Sequence, residues 1–506
     1  MIMRLLFSVL LGAALPLHGH AADAPQWKLS PAARAVDVQV DTPLRIAFDT
    51  PPVLGTEGAV RIYRVSDRAL IDELRPGEDV DTIGDAQQEY KRAVRYSPIT
   101  VQGATATIRL HSAKLDYGTE YEVVVDAGVF TSASIGPWTF RTRAAAPAGN
   151  RLTVDDDGPA DFRTVQGALN HAMRQLPRAA PVSIRIANGR YDQLLYLRGK
   201  DNITLHGESR DGVILEATNN DGLNPGTGAG RGPLAPAANG GRSVFLIEDA
   251  DMVTLDNITM VNKTVRAHSK GGQAETLVFS SDRGRLVARD ASFFSEQDTI
   301  QVKGYSWFHR TLIAGNVDFI WGGNRAALFE DSEIRTVGDS AHAGGGGYIV
   351  QARTVAAGEP GFVFLNSRLT HGPGPLGNDV PAGKAYLARQ GPPTSWDNVS
   401  FINCRMDSHI AAQGWAPKKP QTPEARPGAG WGEFGSMDLA GRPLDLSQRT
   451  PGHVLTAEQV AARFGSRQKI FSSFNDGKGW NPATETSEQT SWQTSWQISE
   501  QTRRAD

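Results

Sequence analysis

The first part of the chain alternates apolar and polar residues over short segments. Five segments show the pattern: TPLRIAF from Thr42, AVRIYRV from Ala59, ATIRLHS from Ala106, TEYEVVVDAG from Thr119 and PWTFRTR from Pro137. Alternation with period two, interrupted by Gly, Pro and Asp, is typical of strands that bury one face. It predicts a small β-sandwich over residues 25–145, joined by the linker AAAPAGN to the rest of the chain.

A different pattern begins after Asn150. Short pieces recur in the order apolar, polar, small, polar and again apolar: LDNITM from Leu255, ARDASF from Ala288, HRTLIA from His309, FEDSEI from Phe329, FLNSRL from Phe364 and FINCRM from Phe401. Their spacing is about 20 residues at its shortest and reaches the mid-thirties where Gly- and Pro-rich loops intervene. A repeat of this length predicts a solenoid. We expect a right-handed parallel β-helix over residues 151–482, the alternative being a β-sandwich with coincidental repeats.

The two ends of the chain have a different composition. Residues 1–22 carry an early Arg4, an apolar run from Leu5 to Leu17 and small residues near Ala21, the layout of a cleavable signal peptide. The apolar run is short for a membrane anchor, which is the alternative. We therefore expect a secreted or periplasmic protein that is not held in a membrane. Residues 483–506 repeat TSWQ with few apolar residues, which predicts a disordered tail.

Composition excludes several classes of protein. The 506 residues have a formal net charge of −3, and no basic block with interleaved aromatic residues is present, so a nucleic-acid partner is not expected. The single cysteine, Cys404, cannot form an intrachain disulfide. Its apolar surroundings in FINCRM predict a small buried core residue rather than a reactive thiol.

Two aspartates in apolar surroundings are the main candidates for chemistry. Asp298 and Asp318 lie 20 residues apart, Gln297 is adjacent to the first, and Gln273 precedes it by 25. If each step is one coil, the four side chains belong to neighbouring coils and share one outer face, because strands of successive coils lie roughly 4.8 Å apart. One carboxylate of such a pair is a candidate acid and the other a candidate nucleophile, while the carboxamides suit an oxyanion. This set predicts acyl transfer without a metal or other cofactor; a purely structural Asp and Gln ladder is the alternative.

Aromatic residues near the aspartates are candidates for a binding surface. Trp321 and Phe319 follow Asp318 directly, and Tyr305 lies between the two aspartates. We expect these three rings to line the patch around the carboxylates.

A series of motifs from Leu152 to Trp480 resembles the pectin methylesterases, also called pectinesterases. In chain order the motifs are TVDDDGPADFRTVQGALNHA from Thr153, NGRYDQLLYL from Asn188, QAETL from Gln273, QDT from Gln297, DFIWG from Asp318, YIVQAR from Tyr348, YLAR from Tyr386, WGEFG from Trp431 and RTPGHVLTAEQ from Arg449. Each motif alone is weak, but their order over more than three hundred residues is specific. The N-terminal segments likewise resemble bacterial immunoglobulin-like modules.

The resemblance implies a right-handed parallel β-helix that hydrolyses methyl esters on galacturonate units of pectin. It makes Asp318 the nucleophile and Asp298 the general acid and then base. Gln273 and Gln297 would hold the oxyanion, and Arg389 would orient Asp318 and keep it ionised. The implied partner is methyl-esterified homogalacturonan, and the default oligomeric state is a monomer.

Several positions depart from the family pattern. The family usually continues the arginine motif with Pro and Trp, whereas Gln390 and Gly391 follow Arg389 here. Trp396 is a candidate replacement for the missing sugar-binding tryptophan. Other departures are Gln193 in place of glutamate, Gln301 where an aromatic residue is frequent, and Trp321 in place of phenylalanine. The chemistry is therefore better supported than the specificity for pectin.

Other functions remain open on the sequence alone. An esterase or thioesterase of the same fold could act on another acyl substrate, and a non-catalytic carbohydrate-binding solenoid would not need a nucleophile. A polygalacturonase also uses paired carboxylates, but its G-H-G and R-I-K segments are absent. A pectate lyase would need clustered acidic calcium ligands, which do not occur around the proposed face.

Overall fold

The structure, a computed structural model, describes residues 27–84, 91–131, 133–229, 240–417 and 430–484. The predicted signal segment and residues 485–506 of the predicted tail lie outside these ranges.

The N-terminal module consists of two antiparallel sheets packed face to face, with one parallel pair at an edge. The first sheet contains, in spatial order, Trp27–Ser30, Leu44–Phe48, Thr105–Ile108 and Ile99–Gln102; the second contains Ala35–Val38, Trp138–Thr142, Glu120–Val125, Val60–Arg64 and Leu70–Leu74. Inward residues of both sheets, such as Ile46 and Val123, are 0 % exposed and share one core. The predicted β-sandwich is confirmed. A separate hairpin, Asp79–Ile83 paired with Arg92–Tyr96, projects from it.

The rest of the described chain winds through three parallel sheets, which we name sheets A, B and C. Sheet A contains Arg151–Val154, Val182–Ile186, Ile203–Gly207, Val253–Asp256, Arg285–Arg289, Gly304–His309, Asn324–Glu330, Gly361–Leu365, Val399–Ile402, Trp431–Phe434 and His453–Val454. Sheet B contains Gly189–Asp192, Val213–Ala217, Thr259–Asn262, Ser292–Phe294, Leu312–Gly315, Glu333–Val337, Arg368–Gly372, Arg405–Met406 and Met437–Asp438. Sheet C contains Leu195–Arg198, Phe245–Glu248, Leu277–Ser280, Ile300–Val302, Val317–Gly322, Tyr348–Ala352 and Tyr386–Arg389. Each full coil adds one strand to each sheet, so the predicted parallel β-helix is confirmed.

Helices cover parts of this solenoid. Val165–Gln175 lies near its N-terminal end, and Ala457–Phe464, Arg467–Ile470 and Phe474–Gly477 follow the last strand; a short 3₁₀ segment spans Arg266–His268. None of the helices in the described ranges has both the length and the apolar character needed to cross a membrane.

The repeated sequence pattern has a local cause at the turn from sheet A to sheet B. One residue there adopts a left-handed conformation in coil after coil, with φ between 49° and 58°: Asn257, Asp290, Arg310, Asp331, Asn366 and Asn403. Asn and Asp tolerate this conformation better than other residues with a Cβ. The polar residue inside each repeated piece therefore marks the bend of a coil. Cys404 follows one of these bends and is fully buried, as predicted.

Candidate active site

The two predicted catalytic aspartates lie on adjacent coils of sheet C. Gln297 bridges to Val317, and Ile300 pairs with Ile320, which sets Asp298 opposite Asp318. Both aspartates have positive φ, 62° at Asp298 and 50° at Asp318. Left-handed residues interrupt a regular strand, so each carboxylate sits where the chain departs from simple alternation.

A bulge decides which side chains of DFIWG face the site. The pairing with the next coil shifts between Val317 and Ile320, so Phe319 and Ile320 both enter the core, where each is 0 % exposed. Asp318 and Trp321 lie on the outer side. Strict alternation would have placed Phe319 beside Trp321, and the expectation that Phe319 lines the substrate site is therefore wrong.

Arg389 holds the Asp318 carboxylate with both arms of its guanidinium. The Nε atom donates to Oδ1 at 2.7 Å, and Nη2 donates to Oδ2. Asp318 is only 5 % exposed. A planar fork that binds both oxygens of a carboxylate fixes its orientation. This contact was expected from the family resemblance.

Asp298 has different partners. Its Oδ2 atom accepts hydrogen bonds from Gln273 Nε2 at 2.9 Å and from Arg242 Nη2 at 3.0 Å. Burial, followed by the nearby Glu275 charge, raises the pKa of Asp298 well above its usual range; Asp318 acts in the same direction and Arg242 opposes it. The Asp298 carboxyl is thus biased toward its protonated form, whereas the adjacent Asp318 carboxylate is bound by Arg389.

Arg242 and Glu275 are site residues that the sequence reasoning missed. Arg242 Nε donates to the two carboxylate oxygens of Glu275 at 3.0 and 2.9 Å, and Nη1 donates to Gln273 Oε1 at 2.5 Å. Glu275 is 0 % exposed inside the apolar run of QAETLVF. A glutamate in such a run needs a cationic partner, and that signal could have prompted a search for one.

The two glutamines differ in how firmly they are held. The Gln273 carboxamide is fixed at both ends, by Arg242 and by Asp298. Gln297 is half-buried, and within the described ranges its side chain makes no hydrogen bond. The amide of Gln297 is therefore the freer of the two donors beside the carboxylates.

Trp321 belongs to an outward row in which residues of successive coils are in register. The row runs through Gln301, Trp321, Gln351 and Arg389. The Arg353 guanidinium lies 4.4 Å from the centre of the Trp321 ring and that of Arg242 lies 5.8 Å away. Arg353, a third residue that sequence reasoning missed, is positioned by hydrogen bonds of 3.1 and 2.7 Å to Gln351 Oε1.

The other two aromatic candidates are Tyr305 and Trp396, and Tyr305 does not lie on the face that carries the two aspartates. Tyr305 lies in sheet A, where its ring packs edge-on against Phe474 at 5.2 Å and its hydroxyl contacts Ser473 at 3.0 Å. At 3 % exposure it is covered by the C-terminal helices, so its assignment to the substrate site is wrong. Trp396 is half-buried, and its main chain exchanges hydrogen bonds of 2.9 and 3.0 Å with Thr354, the neighbour of Arg353. A substrate contact by Trp396 stays a prediction.

One group of three carboxylates within the described ranges is close enough to share a cation. It consists of Asp155, Asp156 and Asp157, at the N-terminal end of the solenoid and away from the two catalytic candidates. Asp156 already pairs with Arg45 of the N-terminal module at 3.4 Å.

Comparison with known proteins gives two domain matches. The family described as Pectinesterase matches residues 151–468, and the Bacterial Ig-like domain matches residues 23–142. Among curated relatives, the chain is 27 % identical over 306 residues to the probable pectinesterase/pectinesterase inhibitor 64 of Arabidopsis thaliana, covering 58 % of this chain but only 46 % of that relative. It is 25 % identical over 333 residues to pectinesterase 2 of Olea europaea, covering 64 % and 80 %.

A solved structure supports the fold. A pectin methylesterase variant in complex with a hexasaccharide superposes with a TM-score of 0.51 at 24 % identity, covering 66 % of this chain and 99 % of that one. The family match spans the coils that carry Asp298, Asp318 and Arg389. The chain therefore belongs to the pectinesterase family, with a bacterial immunoglobulin-like domain at its N-terminus.

Proposed function

We propose that this chain hydrolyses methyl esters on galacturonate units of pectin, releasing methanol, through an acyl-enzyme on Asp318. The observation that carries the proposal is the contrast between two adjacent carboxyls. Arg389 grips Asp318 bidentately, while burial and Glu275 raise the pKa of Asp298. A carboxyl whose pKa is raised, next to a carboxylate held by an arginine, is suited to act as the acid while its neighbour acts as the nucleophile.

The first half-reaction forms the acyl-enzyme. A carboxylate oxygen of Asp318 attacks the ester carbonyl carbon, and an oxyanion develops on the carbonyl oxygen. As the bond to the methoxy oxygen breaks, the protonated Asp298 gives its proton to that oxygen, and methanol leaves. The acyl group is then joined to Asp318 as an anhydride.

The second half-reaction uses water. Asp298, now a carboxylate, takes a proton from a water molecule that attacks the acyl carbon. The bond to the Asp318 oxygen breaks, which yields the free galacturonate carboxyl group and restores both aspartates. Arg389 stabilises the departing carboxylate of Asp318 in this step.

The two glutamines supply neutral donors for the oxyanion. Gln297 has a side-chain amide without another partner in the described ranges, and Gln273 retains one amide hydrogen beyond its bond to Asp298. Amide donors stabilise a developing oxyanion without protonating it, and loss of one such donor typically slows acyl transfer by about 10²–10³-fold.

Substrate selection is assigned to the outer row beside the carboxylates. The Trp321 ring, which is 5 % exposed, packs against the Arg353 guanidinium, and this guanidinium is a cation suited to a sugar that carries acidic groups. A related pectin methylesterase variant has been solved with a hexasaccharide bound. The N-terminal segment of residues 1–22 directs the chain to the periplasm or the exterior, where the chain encounters pectin. We propose that the chain acts as a monomer.

A second candidate is an esterase or thioesterase for a different acyl substrate. It is favoured by one observation: Gln390 and Gly391 follow Arg389 where the family pattern has Pro and Trp. Trp396 would have to replace the missing ring for pectin to bind as in the family.

The test is methanol release from highly methylated pectin by the purified mature chain, with a chelator present. Asp318→Asn should lower the rate by at least about a thousandfold while the fold persists, because a carboxamide is a poor nucleophile of nearly the same shape. The matched control is Asp331→Asn, at an exposed turn position with φ of 49° where other coils carry Asn. Release that survives in Asp318→Asn would remove it as nucleophile, and no release by the folded wild type would favour the second candidate.

A further inference from the structure

Arg92 of the N-terminal module is buried against the β-helix, within the hairpin strand Arg92–Tyr96. It is 0 % exposed. Its guanidinium donates to five main-chain carbonyls of the β-helix domain: those of Gly240 at 2.7 Å, Leu195 at 2.6 Å, Gly241 at 3.1 Å, Val244 at 3.2 Å and Ser243.

These acceptors are unusual for a buried cation. No carboxylate of the described residues pairs with Arg92, and burial lowers the pKa of its guanidinium to about 10, so it stays charged at neutral pH. Burying a charge is costly unless its donors are satisfied, and here carbonyl oxygens satisfy them. An arginine that fills such a set of acceptors immobilises the backbone that supplies them.

The carbonyls that Arg92 binds lie on both sides of Arg242. Gly240 and Gly241 precede it, and Ser243 and Val244 follow it. Asn219 reinforces the same backbone by donating to the carbonyls of residues 241 and 243 at 3.1 and 2.8 Å. The Arg242 amide itself donates to the carbonyl of residue 226 at 3.0 Å. The Arg242 amide and the carbonyls of the residues on both sides of Arg242 are therefore fixed by hydrogen bonds.

Arg242 in turn reaches the proposed acid. Its guanidinium contacts Glu275, Gln273 and Asp298, with Nη2 at 3.0 Å from the Asp298 carboxylate. The connection thus leads from Arg92 through the main chain of residues 240–244 and the Arg242 side chain to the carboxyl proposed to protonate methanol.

The fit between the hairpin and the solenoid is close. A Cβ on Gly240 would lie 1.8 Å from the carbonyl oxygen of Ala93, so only glycine permits this approach. Asn224 accepts a hydrogen bond from the amide of Arg95 at 2.7 Å and donates to its carbonyl at 3.1 Å.

Apolar side chains complete the contact on sheet C. Ile83 and Val94 of the hairpin pack in one cluster with Tyr196, Leu246 and Val278. The last three continue, in register, into the outward row that carries Gln301 and Trp321. The hairpin therefore covers the part of sheet C that adjoins the site.

We propose that Arg92 is a positioning residue for the esterase site: by fixing residues 240–244, the N-terminal module holds Arg242 against Asp298. The inference rests on the proposed function. On this proposal the N-terminal module completes the active site and is more than a spacer.

The experiment compares Arg92→Met, Arg92→Lys and Arg109→Met in the mature full-length chain. Arg109 is the matched control, because it joins the same two domains through Asp192 at 3.1 Å but does not touch residues 240–244. With methyl-esterified pectin, Arg92→Met should lower kcat by about ten- to a hundredfold with little change in KM, since the effect acts on the acid and not on substrate binding. Arg92→Lys should recover part of the loss, and Arg109→Met should stay within about twofold of the wild type.

Two further readouts separate positioning from general weakening. Combined with Arg242→Gln, the Arg92→Met change should add little to the loss in kcat, because both act through one contact. Hydrogen exchange at residues 240–245 should be faster in Arg92→Met than in Arg109→Met, and this readout needs no activity.

The outcomes are distinct. If kcat of Arg92→Met equals that of Arg109→Met, or if the losses at residues 92 and 242 simply multiply, the positioning role is overturned while the esterase assignment stands. If the wild type releases no methanol, the proposed function fails, and hydrogen exchange still decides whether Arg92 immobilises residues 240–244. Should Arg92→Met not fold, the same comparison is made with Arg92→Lys.

Discussion

At the scale of single residues, two chemically identical carboxyls differ because of their neighbours. Asp318 receives a bidentate arginine, whereas Asp298 is buried near Glu275 and receives only one arginine donor and one amide. The Glu275 charge, after burial, is the largest influence that raises the pKa of Asp298. The acid role therefore depends on a residue that does not touch the reacting atoms.

The pH dependence of the Glu275→Gln variant tests whether Glu275 raises the pKa of Asp298. Removing the Glu275 anion should lower the pKa of Asp298. The acid then loses its proton at a lower pH, so the alkaline limb of the kcat/KM profile shifts to lower pH. The other charges near Asp298, on Arg242, Asp318, Arg353 and Arg389, are unchanged by the substitution.

The pH–rate profile of methanol release is the measurement. Glu433→Gln is the control, because that carboxyl is also buried, at 1 % exposure, but contacts Trp415 and Ser436 in another coil. An alkaline limb that stays fixed or moves upward in Glu275→Gln would contradict the assigned influence of Glu275.

At the scale of elements, stacked side chains of successive coils stabilise the solenoid. Inside sheet A the rings of Phe308, Phe329, Phe364 and Phe401 stack with centroid distances of 4.8, 4.7 and 4.4 Å. Each inner ring contacts the coil before and the coil after, so one residue links three coils. Such nearest-neighbour contacts are the main stabilising interactions of repeat architectures.

Phe364→Ala should lower the free energy of unfolding by about 3–5 kcal/mol, since it leaves a cavity in the middle of the stack. Phe364→Leu should cost less, because it keeps most of the buried volume. Urea denaturation followed by circular dichroism measures both. Leu376→Ala, at a residue 51 % exposed, is the control and should change stability by no more than about 0.5 kcal/mol. Equal losses for the two Phe364 variants would contradict the assignment of the cost to lost buried volume.

At the scale of the whole molecule, the two domains are joined by buried polar contacts as well as by surface ion pairs. Asp41 of the N-terminal module accepts hydrogen bonds from the amides of Arg163 and Thr164 at 3.0 and 2.7 Å and from the Thr164 hydroxyl at 2.7 Å. Thr164 is the N-cap of the helix Val165–Gln175 at the start of the β-helix domain. The module thus supports the first helix of its neighbour.

Asp41→Ala should lower the free energy of unfolding by about 1–3 kcal/mol, because it leaves buried donors without an acceptor. Calorimetry on the mature chain checks the prediction. Asp282→Ala, at a carboxylate whose side chain is 80 % exposed, is the control and should leave the melting temperature nearly unchanged. A melting temperature of Asp41→Ala equal to that of the control would contradict a supporting role for the domain contact.

The sequence by itself determined the features that depend on local preference and on repetition. Alternation predicted the β-sandwich, and the short apolar and polar pieces that recur at a spacing of about 20 residues or more predicted the coils, because each repeat forms one structural unit. The coil length of 20 residues predicted that Asp298 and Asp318 would share one outer face, and the resemblance to the pectinesterases implied the contact of Arg389 with Asp318.

Only the tertiary structure decided the remainder. A bulge turned Phe319 into the core and the C-terminal helices covered Tyr305, and neither event leaves a mark in the spacing of residues. Arg242 reaches Asp298, and Arg92 reaches the main chain on both sides of Arg242, through contacts between residues more than fifty positions apart; the Arg92 contact crosses a domain boundary. Such contacts form only when the complete chain packs, so the pattern of residues along the sequence does not show which residues make them.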